Sequence, residues 1–136
     1  MALVDANGLP IGLRVCTAGE HEVKQAQQSV MECWTRWLPE RVIADRGFDC
    51  DALDVSLAEY GVDMIVPHRR NRKVPTQDGR KLRRYKRRWK VERLFAWLGN
   101  FRRLLVRHER HVANFEGFAH LATIIILVRN CFYERL

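Results

Sequence analysis

Two carboxylates stand in surroundings suited to phosphoryl-transfer chemistry. Asp45 closes the short apolar run Arg41-Val42-Ile43-Ala44 and is followed by Arg46-Gly47. A carboxylate at the C-terminal end of a buried strand lies where α/β sheets place their sites. Glu92 sits inside Tyr85-Lys86-Arg87-Arg88-Trp89-Lys90-Val91-Glu92-Arg93, in the most basic helical segment and beside its apolar stripe. Two such carboxylates suit a two-metal site. There, cations about 3.5–4 Å apart activate an attacking oxygen and stabilise the leaving one. Mg²⁺ and similar hard cations take oxygen ligands of this kind. Each residue also has a plainer role open to it. Asp45 can cap the turn that follows, and Glu92 can pair with Arg88 one helical turn away, worth ~0.2–0.5 kcal/mol.

The charge is concentrated where this chemistry needs it. Residues 68–90 hold 12 of the 24 Lys and Arg residues and one acid, Asp78, for a net charge of +11; the other 113 residues carry −3. The whole chain, 136 residues long, stands at +8, with an isoelectric point near 9.9. A basic block interleaved with Tyr85 and Trp89 is the footprint of a phosphate-backbone contact, so nucleic acid is the expected partner. A hydrophobic content of 47% excludes a disordered tail, a collagen-like polymer and a disulfide-dense mini-protein. Cys16, Cys33, Cys50 and Cys131 form no C-x-x-C pair and are read as reduced, mostly buried thiols of a cytosolic protein. His108 and His111 lack nearby cysteine partners and make no zinc pattern. No targeting signal is present. The most apolar stretch, 117–128, is shorter than the ~17–25 residues that span a bilayer, so it is expected to be a buried helix, with no membrane partner.

The elements that must position these residues follow from periodicity. Apolar runs flank Asp5-Ala6-Asn7-Gly8, a hairpin signal. Val23, Ala26, Val30, Trp34 and Trp37 recur at helical spacing up to Pro39, which predicts an amphipathic helix with both tryptophans in the core. A strand over 41–45, a helix over 49–60 with Leu53, Leu57 and Tyr60 on one face, and a strand over 62–66 stopped by Pro67 follow. A basic loop over 67–79 leads to a long helix over 80–107. Its apolar stripe is Val91, Leu94, Phe95, Leu98, Phe101 and Leu105. Trp97 is read as packing that helix, while Trp89 is equally suited to packing and to stacking on a base. Asn114 is placed as the cap of a last helix over 115–134, with His120 a satisfied core residue. Strands alternating with helices argue an α/β layer structure in a single domain over 1–136. Its sheet is thin, as in part of a larger domain.

At this point a family resemblance stands out. Tyr85, Arg88 and Glu92 keep the spacing Tyr, two residues, Arg, three residues, Glu, and continue as Leu94-Phe95-Ala96-Trp97-Leu98-Gly99-Asn100-Phe101-Arg102-Arg103-Leu104. This resembles the C-terminal signature of bacterial insertion-sequence transposases of the DDE class. Val42-Ile43-Ala44-Asp45-Arg46-Gly47-Phe48-Asp49 resembles that family's second-aspartate segment. Leu3-Val4-Asp5-Ala6-Asn7-Gly8-Leu9-Pro10-Ile11 resembles the hairpin before it. The resemblance implies an RNase H-like fold, a mixed sheet flanked by helices, here incomplete at its N-terminus. It implies a two-metal site with Mg²⁺ or Mn²⁺, and DNA transposition in which a transposon end is nicked and the freed 3′-hydroxyl attacks target DNA. By this carry-over Asp45 is the second acidic ligand and Glu92 the third, both catalytic. Tyr85 and Arg88 are expected to contact DNA near the cleaved phosphate. Arg84, Arg87, Lys90, Arg102 and Arg103 are expected to add backbone contacts.

The sequence departs from the family pattern twice. Gly99 stands where the family often has Lys, leaving Arg102 or Arg103 to serve. The family's first catalytic Asp, on a strand before the hairpin, has no counterpart, since Asp5 belongs to a turn. The isolated chain is therefore expected to bind DNA with little or no catalysis. The alternatives are a non-catalytic DNA- or RNA-binding module and a regulatory remnant that self-associates with full-length transposase through the apolar C-terminal helix. On the transposase reading the expected partners are transposon ends and target DNA, in the bacterial cytoplasm at the nucleoid.

Overall fold

The computed structural model describes residues 1–16, 22–76 and 81–133. The start expected for the first helix and residues 77–79 of the basic loop lie outside the described residues. The chain is mixed α/β and divides into two compact units. One comprises Met1–Val15 with Lys90–Leu136, and the other Cys16–Trp89.

The first unit begins with the hairpin. Strands β1 (Ala2–Val4) and β2 (Pro10–Leu13) pair antiparallel. Asp5 builds the connection. Its Oδ1 accepts the amides of Asn7 and Leu9, each at 2.8 Å, and its own amide donates to the Leu9 carbonyl. Gly8 takes φ +85°, a conformation side chains disfavour. Helix α3 (Trp89–Gly99) lies against this hairpin. Lys90 donates to the Ala6 carbonyl and Arg93 to the Asn7 carbonyl, satisfying acceptors at the loop tip. Leu94 and Leu98 form the core with Ala122 and Ile126 of helix α5 (Val112–Tyr133). Ala2, Val4, Leu13, Trp97, Phe101 and Leu104 pack around it, so Trp97 packs as expected. His120 Nε2 donates to the Leu13 carbonyl at 3.2 Å, and the Val15 amide donates to Glu116 Oε1, which fasten α5 to the hairpin.

The second unit is built on a parallel pair, β3 (Arg41–Ile43) and β4 (Asp63–Ile65). Helix α2 (Asp51–Ala58) connects them and packs on β4, and α1 (Glu22–Met31) packs on α2. Its core is Ala26, Val30, Leu53, Leu57, Val62, Met64, Ile65 and Val66. Gly61, at φ +76°, makes the tight exit from α2 into β4.

Several expectations need correction. The strands form two two-stranded ladders among the described residues, not one sheet. α1 stops at Met31, before Trp34 and Trp37, which are 47% and 75% exposed and outside the core. Tyr60 lies past the end of α2 and is exposed. The single long helix over 80–107 is three pieces: a 3₁₀ segment Lys81–Arg88, then α3, then α4 (Arg102–Leu105). Six of the eight residues in Lys81–Arg88 are basic, and like charges one turn apart disfavour an α-helix. Gly99 and Asn100 interrupt the rest, and Phe95 and Leu105 fall on the exposed side. α5 starts at Val112, so Asn114 is inside the helix and does not cap it. α5 is long and apolar enough over Val112–Phe132 to cross a membrane by length and composition. It is not fully buried: Ala119, Ala122, Thr123 and Ile126 face the core, while Phe118, Leu121, Ile124 and Val128 are exposed. The cysteines are free, but three are half-buried and Cys131 is exposed.

Candidate active site and nucleic-acid interface

The parallel pair sets the position of Asp45. β3 ends at Ile43, two residues earlier than expected, and the Ala44 amide still reaches the Ile65 carbonyl at 3.2 Å. Asp45 is therefore half-exposed just past the carboxyl end of the strand, not its buried last residue. It caps the 3₁₀ turn Arg46–Phe48, its Oδ1 accepting the Gly47 amide at 2.8 Å. A Cβ on Gly47 would stand 2.9 Å from that oxygen. Glycine is needed here for space around the carboxylate, not for an unusual φ. The other oxygen, Oδ2, lies 3.6 Å from Arg88 Nη1. Arg88 Nη1 also donates to the Tyr85 hydroxyl at 3.0 Å, and the Arg88 guanidinium stands 5.7 Å from the Tyr85 ring centroid. The structure thus gathers Asp45, Tyr85 and Arg88. Arg84 and Arg87, on the same 3₁₀ segment, are exposed.

Of the remaining expected residues, Lys90, Glu92, Arg102 and Arg103 belong to the other unit. Glu92 is exposed in the first turn of α3. Lys90 is engaged with the hairpin tip. Arg102 is exposed, while Arg103 donates to Glu109 at 2.8 Å and stands 5.2 Å from the Phe118 ring centroid. That hydrogen bond, first among its causes, outweighs desolvation and holds the Glu109 carboxyl below its ordinary value. Trp89 is 51% exposed. Gly99 has open space where a side chain would stand.

A second cluster, which spacing did not reveal, lies beside Asp45. The loop after β4 bends back onto Asp49, a buried carboxylate whose side chain is 2% exposed. Asp49 Oδ2 accepts the Arg69 amide at 2.7 Å. Its Oδ1 accepts Arg72 Nη1 at 2.6 Å and His68 Nδ1 at 3.1 Å. His68 Nε2 takes the Thr76 amide at 3.1 Å. That acceptor role puts the ring proton on Nδ1, so the imidazole donates to Asp49. Burial alone would raise the Asp49 carboxyl. The Arg69 amide, His68 and Arg72 together outweigh it and hold the carboxyl below its ordinary value. Arg72 spans Asp49 and Asp51. Arg69 donates from Nε to the Arg46 carbonyl at 3.3 Å and from Nη2 to the Gly47 carbonyl at 2.9 Å. Two arginines of the basic block are therefore spent on the protein itself. The one clue in the sequence was an acid four residues after Asp45, which no periodicity singles out.

Asp45 and Glu92 are the ligand type that hard cations take. Among the described residues, however, no group of three or more His, Cys, Asp or Glu side chains is assembled to hold a metal ion.

Comparison with known proteins gives this arrangement its context. The family model described as "Transposase DDE domain" matches residues 1–127. The chain is 31% identical over 132 residues to the "Putative transposase for insertion sequence element IS402" of Burkholderia cepacia, covering 91% of this chain and 59% of that protein. It is 34% identical over 130 residues to the "Putative transposase for insertion sequence element IS6501" of Brucella ovis, covering 94% and 95%. No solved structure matches the chain. With the family model covering nearly its whole length, the chain belongs to the DDE-domain transposase family of insertion sequences.

Proposed function

We propose that this chain is the part of an insertion-sequence transposase that carries the second and third acidic residues, Asp45 and Glu92, on an RNase H-like frame. Its work is to grip transposon-end and target DNA in the bacterial cytoplasm and to take part in cutting and joining their strands. The observation that carries the reading is the cluster of Asp45, Arg88 and Tyr85. A carboxylate just past a parallel strand, within 3.6 Å of an arginine, is where α/β folds place chemistry. Arg88 is the group that would meet a DNA phosphate there, with the Tyr85 hydroxyl fixing its guanidinium. Arg84 and Arg87 extend the positive surface along the same segment, and on the other unit Arg102 of α4 is a further exposed base for DNA. The family implies Mg²⁺ or Mn²⁺ bound by carboxylates. On this reading Asp45 and Glu92 are two of the three carboxylates the family uses, Asp5 is taken up by the hairpin turn, and the isolated chain binds DNA and cleaves little or none.

The test is a comparison of DNA binding with strand cutting. Glu92→Gln should leave DNA affinity unchanged or tighter, since a negative charge is removed beside phosphates. It should abolish metal-dependent cutting by a transposase containing this chain. Cutting by the isolated chain at the rate of that transposase would refute the division of labour.

A further inference from the structure

The Gly47 peptide is held on both sides. Its N–H is taken by Asp45 Oδ1 at 2.8 Å and its carbonyl by Arg69 Nη2 at 2.9 Å. Arg69 Nε takes the preceding carbonyl, that of Arg46, at 3.3 Å. The main chain of Arg69 is fixed in turn by Asp49, which accepts its amide at 2.7 Å. We propose that Arg69 is a positioning residue for Asp45. Anchored by Asp49, it clamps the turn Arg46–Phe48 so that the Gly47 amide stays aimed at the Asp45 carboxylate.

Three features support this assignment. First, the two strand ends of the parallel pair deliver the two loops, 44–49 and 66–72, to the same end of the ladder. Second, the contact is made by a planar fork that satisfies two successive carbonyls at once, which the point charge of a lysine does not reproduce. Third, Asp49 is buried and multiply bonded, so the base from which Arg69 reaches is rigid, whereas Asp45 itself is half-exposed. The turn buries none of its three residues, and α1, which packs against it, leaves Arg46 and Gly47 exposed on the side that Arg69 reaches. The consequence is specific: Arg69 lies in the most basic stretch of the chain, yet its charge serves the turn and not a phosphate. This inference rests on the reading of Asp45 as a functional carboxylate.

Residue-resolved amide hydrogen exchange and a salt titration of DNA affinity test it on the full chain, in wild type, Arg69→Met and Arg69→Lys. Both variants should speed exchange of the Gly47 amide by about tenfold or more, since its partner is no longer held. The amides of Leu53 and Leu57 in α2 should keep their protection. The slope of log affinity against log salt should be unchanged, because no phosphate contact is lost. A slope shallower by about 0.9, the signature of one lost phosphate contact, would overturn the proposal. So would an unaltered Gly47 amide. Loss of α2 protection in both variants would overturn it too, since Arg69 would then hold the fold and not the turn. Neither readout depends on catalysis. Strand cutting that survives loss of the Asp45 carboxylate would defeat the functional reading and leave the clamp standing.

Discussion

The Arg88 guanidinium and the Asp45 carboxylate stand 3.6 Å apart, an ion pair between two partly exposed side chains. Pairs of this exposure contribute about 0–1 kcal/mol to stability. The contact therefore says more about where Arg88 is aimed than about what holds the fold together. Arg88→Ala should shift the melting temperature by only a few degrees, while the salt slope of DNA binding falls by about 0.9 for the lost phosphate contact. A thermal melt beside a salt titration measures both.

Gly47 has a different dependence on Asp45. A methyl group there would stand 2.9 Å from Oδ1, and the carboxylate, being the end of a side chain, must swing away. Gly47→Ala should cost about 0.5–1.5 kcal/mol, the usual worth of the hydrogen bond that is lost. Urea unfolding would measure this cost. Strand cutting by a transposase carrying the change should fall far more than DNA affinity, as expected when a reacting group is misplaced.

Asp49 predicts an acid limit. Its folded-state carboxyl is held below the ordinary value by the Arg69 amide, His68 and Arg72, which outweigh its burial. A depressed folded pKa adds stability above the unfolded carboxylate value of about 3.9. That stability is lost as pH falls from there through the folded pKa. The urea midpoint of the wild type should therefore drop steeply below about pH 4. Asp49→Asn should start lower at neutral pH and show a flatter acid limb. Parallel acid limbs in the two proteins would contradict the assignment.

Leu94 is fully buried at the centre of the core that joins α3, α5 and the hairpin. Leu94→Ala should destabilise the chain by about 2–5 kcal/mol. Its neighbour Phe95 is 52% exposed, and Phe95→Ala should cost well under half as much. Chemical denaturation of the pair checks this, and it separates the true α3 stripe from the one its spacing suggests.

What the sequence made legible is local. Asp5-Ala6-Asn7-Gly8 announced a hairpin because Asp and Gly supply the side-chain acceptor and the positive φ that such a loop needs. Leu53, Leu57, Leu94 and Leu98 were found because period and burial agree. Trp34 and Trp37 misled because helical spacing persists past Met31 where the helix itself does not. The stretch 81–88 misled because periodicity takes no account of like-charge repulsion. Asp45 lies two residues past its strand and half-exposed, not at the strand's buried end, and its hydrogen bond to Gly47 is the capping role that turn chemistry alone would assign. The Asp49 cluster was invisible, since it joins residues 19 to 23 positions apart through a loop that curls back past β4. No pattern in the sequence encodes that return.

The most direct measurement is metal-dependent cleavage of transposon-end DNA by a transposase containing this chain, with DNA affinity measured alongside. Wild type is compared with Asp45→Asn and Glu92→Gln. Each substitution should leave DNA binding within about threefold of wild type and reduce cleavage by about 10³-fold or more, since phosphoryl transfer depends on positioning and charge stabilisation. Cleavage persisting near the wild-type rate in either variant would contradict the assignment of Asp45 and Glu92 as the residues that carry the chemistry.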